Sequence, residues 1–197
     1  MNYLAHAYLS FQHEELLVGN MISDFVKGNK QYEYPEGIFK GIRLHRQIDA
    51  FTDSHEATRS ATALFKPVVA RYAPAFVDVA YDHFLANDTQ VFTPSSLYDF
   101  AAATYEVLQK HYNVLPMRFQ SMLTYMRRDN WLFNYIHTWG LQRSMQGLVH
   151  RAAYLSDAQP AYDCFLYHYQ ELAACYNDFI ADVKLFSLAE IEKLKVA

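Results

Sequence analysis

Glycine and proline are scarce in this 197-residue chain, which has only six of each. A sandwich or barrel of this length needs many turns rich in these residues, so their scarcity disfavours an all-β fold. Charged residues are also few, at 19%, whereas hydrophobic residues reach 52%. Because disordered chains combine low hydrophobicity with high charge, this composition excludes intrinsic disorder and predicts a buried core.

The chain has little concentrated positive charge and no long apolar run. Seventeen Lys and Arg residues oppose 21 Asp and Glu, giving a net charge of -4, and the longest basic run is the pair Arg127-Arg128. This balance disfavours binding to nucleic acid. No apolar stretch approaches the roughly 18 residues that span a bilayer, and the first residues include no basic region typical of a secretion signal. We therefore expect a cytoplasmic protein without a membrane partner; the oligomeric state stays open.

Cysteines and the common catalytic motifs are equally sparse. Cys164 and Cys175 are the only cysteines, and their spacing of about three helical turns predicts reduced thiols on one core stripe. The chain has no Walker loop, dinucleotide fingerprint, HExxH pair or serine or cysteine nucleophile motif. Nucleophilic catalysis by a protein side chain therefore has no support in the sequence.

Helical periodicity dominates what is present. Thr93 followed by Pro94 is typical of a helix start, and Ser187 with Glu190 reads as a capping box before a short last helix. We predict an all-α fold in a single compact domain over residues 1–197. The predicted helices lie near residues 3–12, 14–27, 36–52, 55–72, 75–86, 94–112, 117–138, 141–155, 161–185 and 187–195.

Two ionisable side chains lie on the apolar stripe of the helix predicted after Pro35. At about 100° per residue, His45 and Asp49 align with Ile38 and Ile42. An ionised carboxylate is costly to bury alone, so Asp49 must be paired, hydrogen-bonded or bound to a metal. A pair between His45 and Asp49 that only braces two helices is an equally open interpretation of this helix.

Similar exceptions interrupt three other apolar segments. Asp82 and His83 lie in the nearly all-apolar segment 76–86, Asp24 interrupts a second segment, and His6 lies between two alanines of the first helix. Three acids and three histidines on four apolar helices indicate a shared partner, and a divalent metal is the simplest one. Carboxylate and imidazole ligands suit Mn²⁺, Mg²⁺ or Fe²⁺ better than structural zinc, which favours cysteine.

Four segments, in this order, closely resemble the acyl carrier protein phosphodiesterase family, and the resemblance is strongest over residues 1–86. They are Met1-Asn2-Tyr3-Leu4-Ala5-His6, the segment from Gly19 to Gly28, the segment from Gly41 to Asp49 followed by Thr52-Asp53, and Asp82-His83-Phe84.

The resemblance implies an enzyme that hydrolyses holo-acyl carrier protein to the apo protein and 4′-phosphopantetheine with a divalent metal, usually manganese. It also implies a helical fold like that of the HD phosphohydrolases, in which His and Asp side chains on several helices hold metal. Here none of the nine histidines is followed by Asp, and the adjacent pair is reversed as Asp82-His83. The implied metal ligands are His6, Asp24, His45, Asp49, Asp82 and His83. Asp24, His45, Asp82 and His83 are the implied catalytic residues.

Basic side chains near these motifs are the candidates for binding the phosphate and the acidic carrier. Since the chain itself carries -4, we expect recognition through a local patch of Lys27, Lys30, Lys40, Arg43 and Arg46. Two other functions stay open at this point. The enzyme could hydrolyse a nucleotide or another small phosphate ester, or the chain could be a non-catalytic helical binding module in which the acids and histidines pair with one another.

Overall fold

A computed structural model describes the backbone of residues 1–196 and the side chains of residues 1–194; this part of the chain is helical and contains no strand. The all-α prediction is therefore confirmed. The helices are α1 (Tyr3–Tyr8), α2 (Glu14–Ile22), α3 (Glu36–Ser54), α4 (Glu56–Val69), α5 (Ala73–Asn87), α6 (Pro94–Lys110), α7 (Met117–Arg128), α8 (Trp131–Asn134), α9 (Thr138–Arg151), α10 (Gln159–Tyr167) and α11 (Tyr169–Val196). Short 3₁₀ turns cover Ser23–Phe25, Gly28–Glu33, Ala70–Tyr72 and Tyr112–Val114.

Two glycines allow α2 and α3 to cross at very short range. A Cβ atom on Gly19 would overlap the Ile38 carbonyl, and one on Gly41 would overlap the Leu16 carbonyl. Only glycine permits backbones to approach this closely. The crossing brings the carboxyl end of α2 against the middle of α3, where the predicted site residue His45 lies.

Helix α5 runs through the centre of the core. Its residues from Phe76 to Ala86 are buried on nearly every side, and it packs against α1, α4, α9 and α11. A helix that is apolar all round belongs in the interior, which explains the unusual composition of this segment. One contiguous set of buried side chains extends from Met1 to Leu194.

The segment predicted as one helix over 117–138 is divided. Asn130 adopts a left-handed conformation, with φ of 44°, and separates α7 from the single-turn helix α8. A third helix, α9, then begins at Thr138, three residues before its predicted start at residue 141. Asparagine tolerates the left-handed region better than most residues, so a single residue ends the helix without glycine or proline.

The predicted break before residue 187 is wrong, because α11 continues through it. Ser187 is fully buried, and its hydroxyl donates to the Val183 carbonyl of the preceding turn instead of capping a new helix. Glu190 accepts a hydrogen bond from Gln47 on α3. At capping-box spacing, the serine therefore bonds within its own helix and the glutamate links α11 to α3.

The two cysteines are free thiols on different helices, Cys164 on α10 and Cys175 on α11, so they do not share one stripe as predicted. Cys164 donates to the Leu64 carbonyl. Among the described residues, none of the helices has both the length and the apolar composition required to cross a membrane.

Candidate metal centre and adjoining clefts

Two stacked imidazole rings share one carboxylate between α1 and α3. The rings of His6 and His45 stack with their centroids 3.9 Å apart, and both residues are buried. Nε2 of His6 lies 3.2 Å from Oδ1 of Asp49, and Nε2 of His45 lies 3.1 Å from Oδ2 of the same carboxylate. Asp49 thus presents one oxygen to each imidazole. The apolar stripe of α3 carries His45 and Asp49 one turn apart, as the sequence predicts.

The orientation of the His45 ring is fixed by the α2 backbone. Nδ1 of His45 donates to the Asn20 carbonyl oxygen at 2.8 Å. Asn20 is itself held, because its amide donates to the His6 carbonyl and to the Ser10 hydroxyl. A hydrogen bond from one ring nitrogen of a histidine selects the tautomer and aims the other nitrogen. Nε2 of His45 is therefore the atom available to a ligand. No pattern in the sequence indicated this role for Asn20.

Asp24 joins the group from the 3₁₀ turn that follows α2. Its Oδ1 lies 3.2 Å from Nε2 of His45. Unlike the two histidines, the Asp24 side chain is 71% exposed. The hydrogen bond with His45 holds the pKa of Asp24 below its ordinary value, although burial opposes this. Asp24 is therefore an ionised carboxylate that connects the buried centre with solvent.

The pKa values of the two histidines of the centre are shifted in opposite directions. Burial lowers the pKa of His6 to about 4, and the neighbouring His45 adds to this effect although Asp49 opposes it. Burial also disfavours charge on His45, but hydrogen bonds with Asp24 and Asp49 outweigh it and raise the His45 pKa to about 9. Burial would raise the pKa of Asp49, yet its bonds to both histidines bring it well below the usual range. The centre thus combines a neutral imidazole, a protonated imidazole and two carboxylates.

The amino group of Met1 closes the buried side of the centre. It lies 2.9 Å from Asp78 and 3.4 Å from Oδ1 of Asp49. Burial lowers its pKa, but Asp78 and then Asp49 reverse the effect and raise it to about 10. Asp78, a further acid in the apolar segment of α5, therefore has this ammonium as its partner.

The donor set of this centre fits a divalent metal. Ligand atoms of His6, His45 and Asp49 all lie within 4.8 Å of one another. Nε2 of His45 faces two carboxylates, Asp49 at 3.1 Å and Asp24 at 3.2 Å. A single N–H must divide itself between these two acceptors, whereas a cation would be coordinated by both. Two imidazoles with carboxylate oxygens are a ligand set that suits Mn²⁺ or Fe²⁺.

Asp82, predicted as a ligand, faces the backbone of α1 instead. Its Oδ2 accepts the Leu4 N–H at 2.8 Å and its Oδ1 accepts the Ala5 N–H at 3.1 Å. Burial raises the pKa of Asp82 to about 7, although the two backbone donors oppose this. An acceptor at the start of a helix satisfies N–H groups that have no partner within the helix. Asp82 therefore anchors the helix that carries His6.

His83 also lies outside the group that the structure assembles. Its Nδ1 donates to the Tyr135 carbonyl at 2.7 Å, and its Nε2 lies 3.4 Å from the Tyr169 hydroxyl. Burial lowers its pKa, so the ring is neutral. The ring also packs edge-on against Phe165. These contacts connect α5 with the residue after α8, with α10 and with α11, and they give the buried histidine partners other than a metal.

A cleft of about 730 Å³ opens beside Asp24, and we call it the basic cleft. Its lining includes four cationic residues and two exposed apolar side chains. The cations are Lys27, Lys30, Arg118 and Arg151, and the apolar pair is Val114 and Met117. Tyr3 also lines it, which places the first turn of α1 at its inner end.

Only part of the predicted basic patch faces this cleft. Lys27 and Lys30 line it, whereas Lys40 forms an ion pair with Glu36 at 2.7 Å. Arg43 and Arg46 also have partners elsewhere: Arg43 lies over the Phe39 ring, and Arg46 donates to Gln31 and to the Val26 carbonyl. The other two cations of the cleft, Arg118 and Arg151, come from α7 and α9. No local signal in those helices distinguished them from ordinary surface residues.

The chain is similar to known proteins over nearly its whole length. The sequence profile of a family described as acyl carrier protein phosphodiesterase matches residues 1–183. A protein of that name from Yersinia pestis is 33% identical over 180 residues, covering 91% of this chain and 93% of the relative. One from Klebsiella pneumoniae (strain 342) is 31% identical over 195 residues, covering 98% of this chain and 100% of the relative.

No solved structure matches the chain, so the arrangement of the HD phosphohydrolases stays a prediction. The profile match and the extent of identity to these relatives are decisive for the family. The chain belongs to the acyl carrier protein phosphodiesterase family.

Proposed function

We propose that this chain hydrolyses the phosphodiester of holo-acyl carrier protein and releases the apo carrier and 4′-phosphopantetheine. The observation that carries the proposal is the group of His6, His45 and Asp49, which opens through Asp24 into a cleft lined by cations. Two buried histidines and a partly exposed aspartate beside a basic cleft suit hydrolysis of an anionic ester. The names of the relatives support the same activity and identify the carrier as substrate.

The metal of this reaction would be held by His6, His45 and Asp49, with Asp24 on the open side. We propose Mn²⁺, with Mg²⁺ or Fe²⁺ as the other candidates, because the donors are imidazole nitrogens and carboxylate oxygens. When bound, a divalent metal supplies Lewis acidity to a phosphoryl oxygen and lowers the pKa of coordinated water.

The chain's own residues prepare the reacting groups. Asn20 holds the His45 ring in one orientation, and Asp82 holds α1 so that His6 faces Asp49. Asp24 is ionised and exposed, so its carboxylate is placed to accept a proton from the attacking water as the water oxygen bonds to phosphorus. The bond between phosphorus and the carrier's serine oxygen breaks, and that oxygen takes up a proton from solvent.

Negative charge increases around phosphorus during this step, and the cations of the basic cleft oppose it. Lys27, Lys30, Arg118 and Arg151 line the space next to Asp24. A guanidinium group can donate two parallel hydrogen bonds to two oxygens of one phosphate. Arg118 and Arg151 are therefore suited to hold the phosphodiester. Lysines at the rim mainly attract an acidic carrier. Met117, which is 83% exposed beside these cations, would give the carrier an apolar contact.

We also propose that the enzyme works in the cytoplasm. The free thiols of Cys164 and Cys175 support this, because unpaired cysteines persist in a reducing compartment.

In the decisive experiment, the purified protein is stripped of metal with a chelator and then incubated with holo-acyl carrier protein and Mn²⁺, Mg²⁺ or Fe²⁺. The mass of the intact carrier is followed by mass spectrometry. We expect loss of the prosthetic group only after metal is restored. Asp49→Asn should abolish this reaction, and Asp99→Asn, an exposed acid on α6, should not change it. Hydrolysis of nucleotides without hydrolysis of the carrier would contradict the proposal and favour a small phosphate ester. Absence of both metal binding and hydrolysis would favour a binding module.

A further inference from the structure

A second cleft, which we call the indole cleft, adjoins the basic cleft. It has a volume of about 680 Å³, and its lining comes mainly from α7, α8 and α9. Tyr3 and Arg151 line both clefts, so the two spaces meet at these side chains. A pocket of this volume is in the range that encloses a small organic group.

The lining of the indole cleft includes several aromatic side chains and few charged ones. Trp131 and Trp139 line the cleft, and the two residues are 36% and 44% exposed. The Trp139 ring stacks on the His137 ring and lies near the Arg143 guanidinium, whose Cζ is 5.2 Å from the indole centroid. Rigid indole faces of this kind bind apolar groups while the rim supplies hydrogen bonds.

The charged side chains of the indole cleft compensate one another away from the junction. Asp129 pairs with Arg128 through bonds of 2.6 and 2.8 Å, and Arg143 adds to the positive potential that lowers the Asp129 pKa. At the junction, Arg151 lies beside the Tyr3 hydroxyl. The cleft therefore has a positive end next to the metal centre and a neutral, aromatic remainder.

This distribution of charge matches one part of the proposed substrate. The prosthetic group joins a phosphodiester to a neutral arm that carries two methyl groups, two amides and a terminal sulfur. We propose that the indole cleft receives the pantetheine arm, with Arg151 and Tyr3 at the phosphate end. This inference rests on the proposed function, and it assigns the two sides of the scissile ester. The carrier would lie over the basic cleft, and the released arm would lie against the indoles.

Gly147 offers a way to fill the cleft without disturbing the fold. It lines the indole cleft on α9, and a Cβ atom placed on it meets no atom within 4 Å. Gly147→Phe should therefore occupy the cleft, whereas Gly147→Ala keeps it open and serves as the matched control. Trp131 and Trp139 are the only tryptophans of the chain, so intrinsic tryptophan fluorescence reports on this cleft alone.

The experiment titrates pantetheine and 4′-phosphopantetheine into the protein and follows tryptophan emission. We expect a saturable change in the wild type and in Gly147→Ala, and none in Gly147→Phe. In the enzyme assay, Gly147→Phe should lower kcat/KM for holo-carrier about tenfold or more, because contacts with the arm are lost. Hydrolysis of bis(4-nitrophenyl) phosphate, which has no arm, should change little.

Two results would overturn the inference. One is a wild-type protein whose tryptophan emission does not respond to either compound, and the other is a Gly147→Phe enzyme that cleaves holo-carrier at the wild-type rate. If the proposed function is wrong, the wild type will leave holo-carrier intact with every metal tested. The fluorescence titration does not depend on hydrolysis, so it still decides whether the cleft binds the arm. Circular dichroism of Gly147→Phe confirms that the helices are intact.

Discussion

Oδ2 of Asp82 accepts a hydrogen bond from the backbone N–H of Leu4 at 2.8 Å, and Oδ1 accepts the next N–H in the chain. Both oxygens of one buried carboxylate are thus used to seat the short helix α1. That helix has only six residues, too few to be stable alone in water. The position of His6 in the candidate metal centre therefore depends on a residue of α5.

We predict that Asp82→Ala lowers the free energy of unfolding by about 3 kcal/mol, because two buried N–H groups lose their acceptor. Asp82→Asn, which keeps one oxygen acceptor, should lose about half as much. Both variants should bind Mn²⁺ more weakly through displacement of His6. Urea unfolding of the metal-free proteins and metal titration test this prediction. Full stability with complete loss of hydrolysis would instead indicate that Asp82 acts directly in the reaction.

The crossing of α2 and α3 gives a second prediction. Gly41→Ala should destabilise the protein by more than about 2 kcal/mol, because the added methyl group would overlap the Leu16 carbonyl and backbone must move. Gly147→Ala is the matched control, since it meets no atom within 4 Å and removes glycine from a helix. That control should gain about 0.5–1 kcal/mol. Thermal melting of the two variants measures both values, and a mild effect of Gly41→Ala would refute the close crossing.

Metal affinity should depend on pH through His45. In the metal-free protein Asp24 and Asp49 raise the His45 pKa to about 9 against the effect of burial, so the ring is protonated at neutral pH. A metal must displace that proton. Apparent affinity for Mn²⁺ should therefore rise about tenfold per pH unit from 6.5 towards 9 and then level off.

Isothermal titration at pH 7 in buffers of different ionisation enthalpy should show release of about one proton per metal bound. His6 contributes little to this number, because its pKa of about 4 leaves it neutral. Release of no proton would mean that His45 is not a ligand. His45→Gln should remove both the proton release and the pH dependence.

Carrier recognition should depend on the cations of the basic cleft. The pair of changes Lys27→Glu and Arg118→Glu should lower kcat/KM for holo-carrier and weaken its dependence on salt, because rim charges accelerate encounter and are screened within about 8 Å at physiological ionic strength. The control Arg59→Glu with Lys66→Glu makes the same charge change on the exposed face of α4. A larger loss from Lys40→Glu with Arg43→Glu would place the carrier on α3 instead.

The sequence was most informative about site residues that lie on one and the same helix. His45 and Asp49 share an apolar stripe, so the burial of His45 and its proximity to Asp49 follow from helical geometry. Asp82 satisfied the same criterion, but the structure places its carboxylate against backbone N–H groups of α1, and a buried acid with such partners has the same local pattern as a metal ligand. Only the packing of α1 against α5 distinguishes the two cases.

The remaining differences have a similar cause. Arg118 and Arg151 reach the clefts from α7 and α9, and nothing in their own segments indicates that neighbourhood. The helix break at Asn130 depends on one residue that tolerates a left-handed conformation, and the continuity of α11 at Ser187 depends on burial. The helical class needed none of this information, because periodicity and composition are local properties.

The residues of the centre come from helices that lie at different distances along the chain. This spacing determines the order in which the centre forms during folding. His45, Asp49, Asp24 and the glycine crossing all lie on α2, α3 and the turn after α2, where contacts close short loops at small entropic cost. The seat of α1 requires α5, which arrives more than thirty residues after α3 begins. During synthesis we therefore expect a nascent centre with one imidazole, and the second imidazole joins only after α5 has emerged and docked. The chain would therefore reach full metal affinity only once α5 has docked, and not when α2 and α3 first pack.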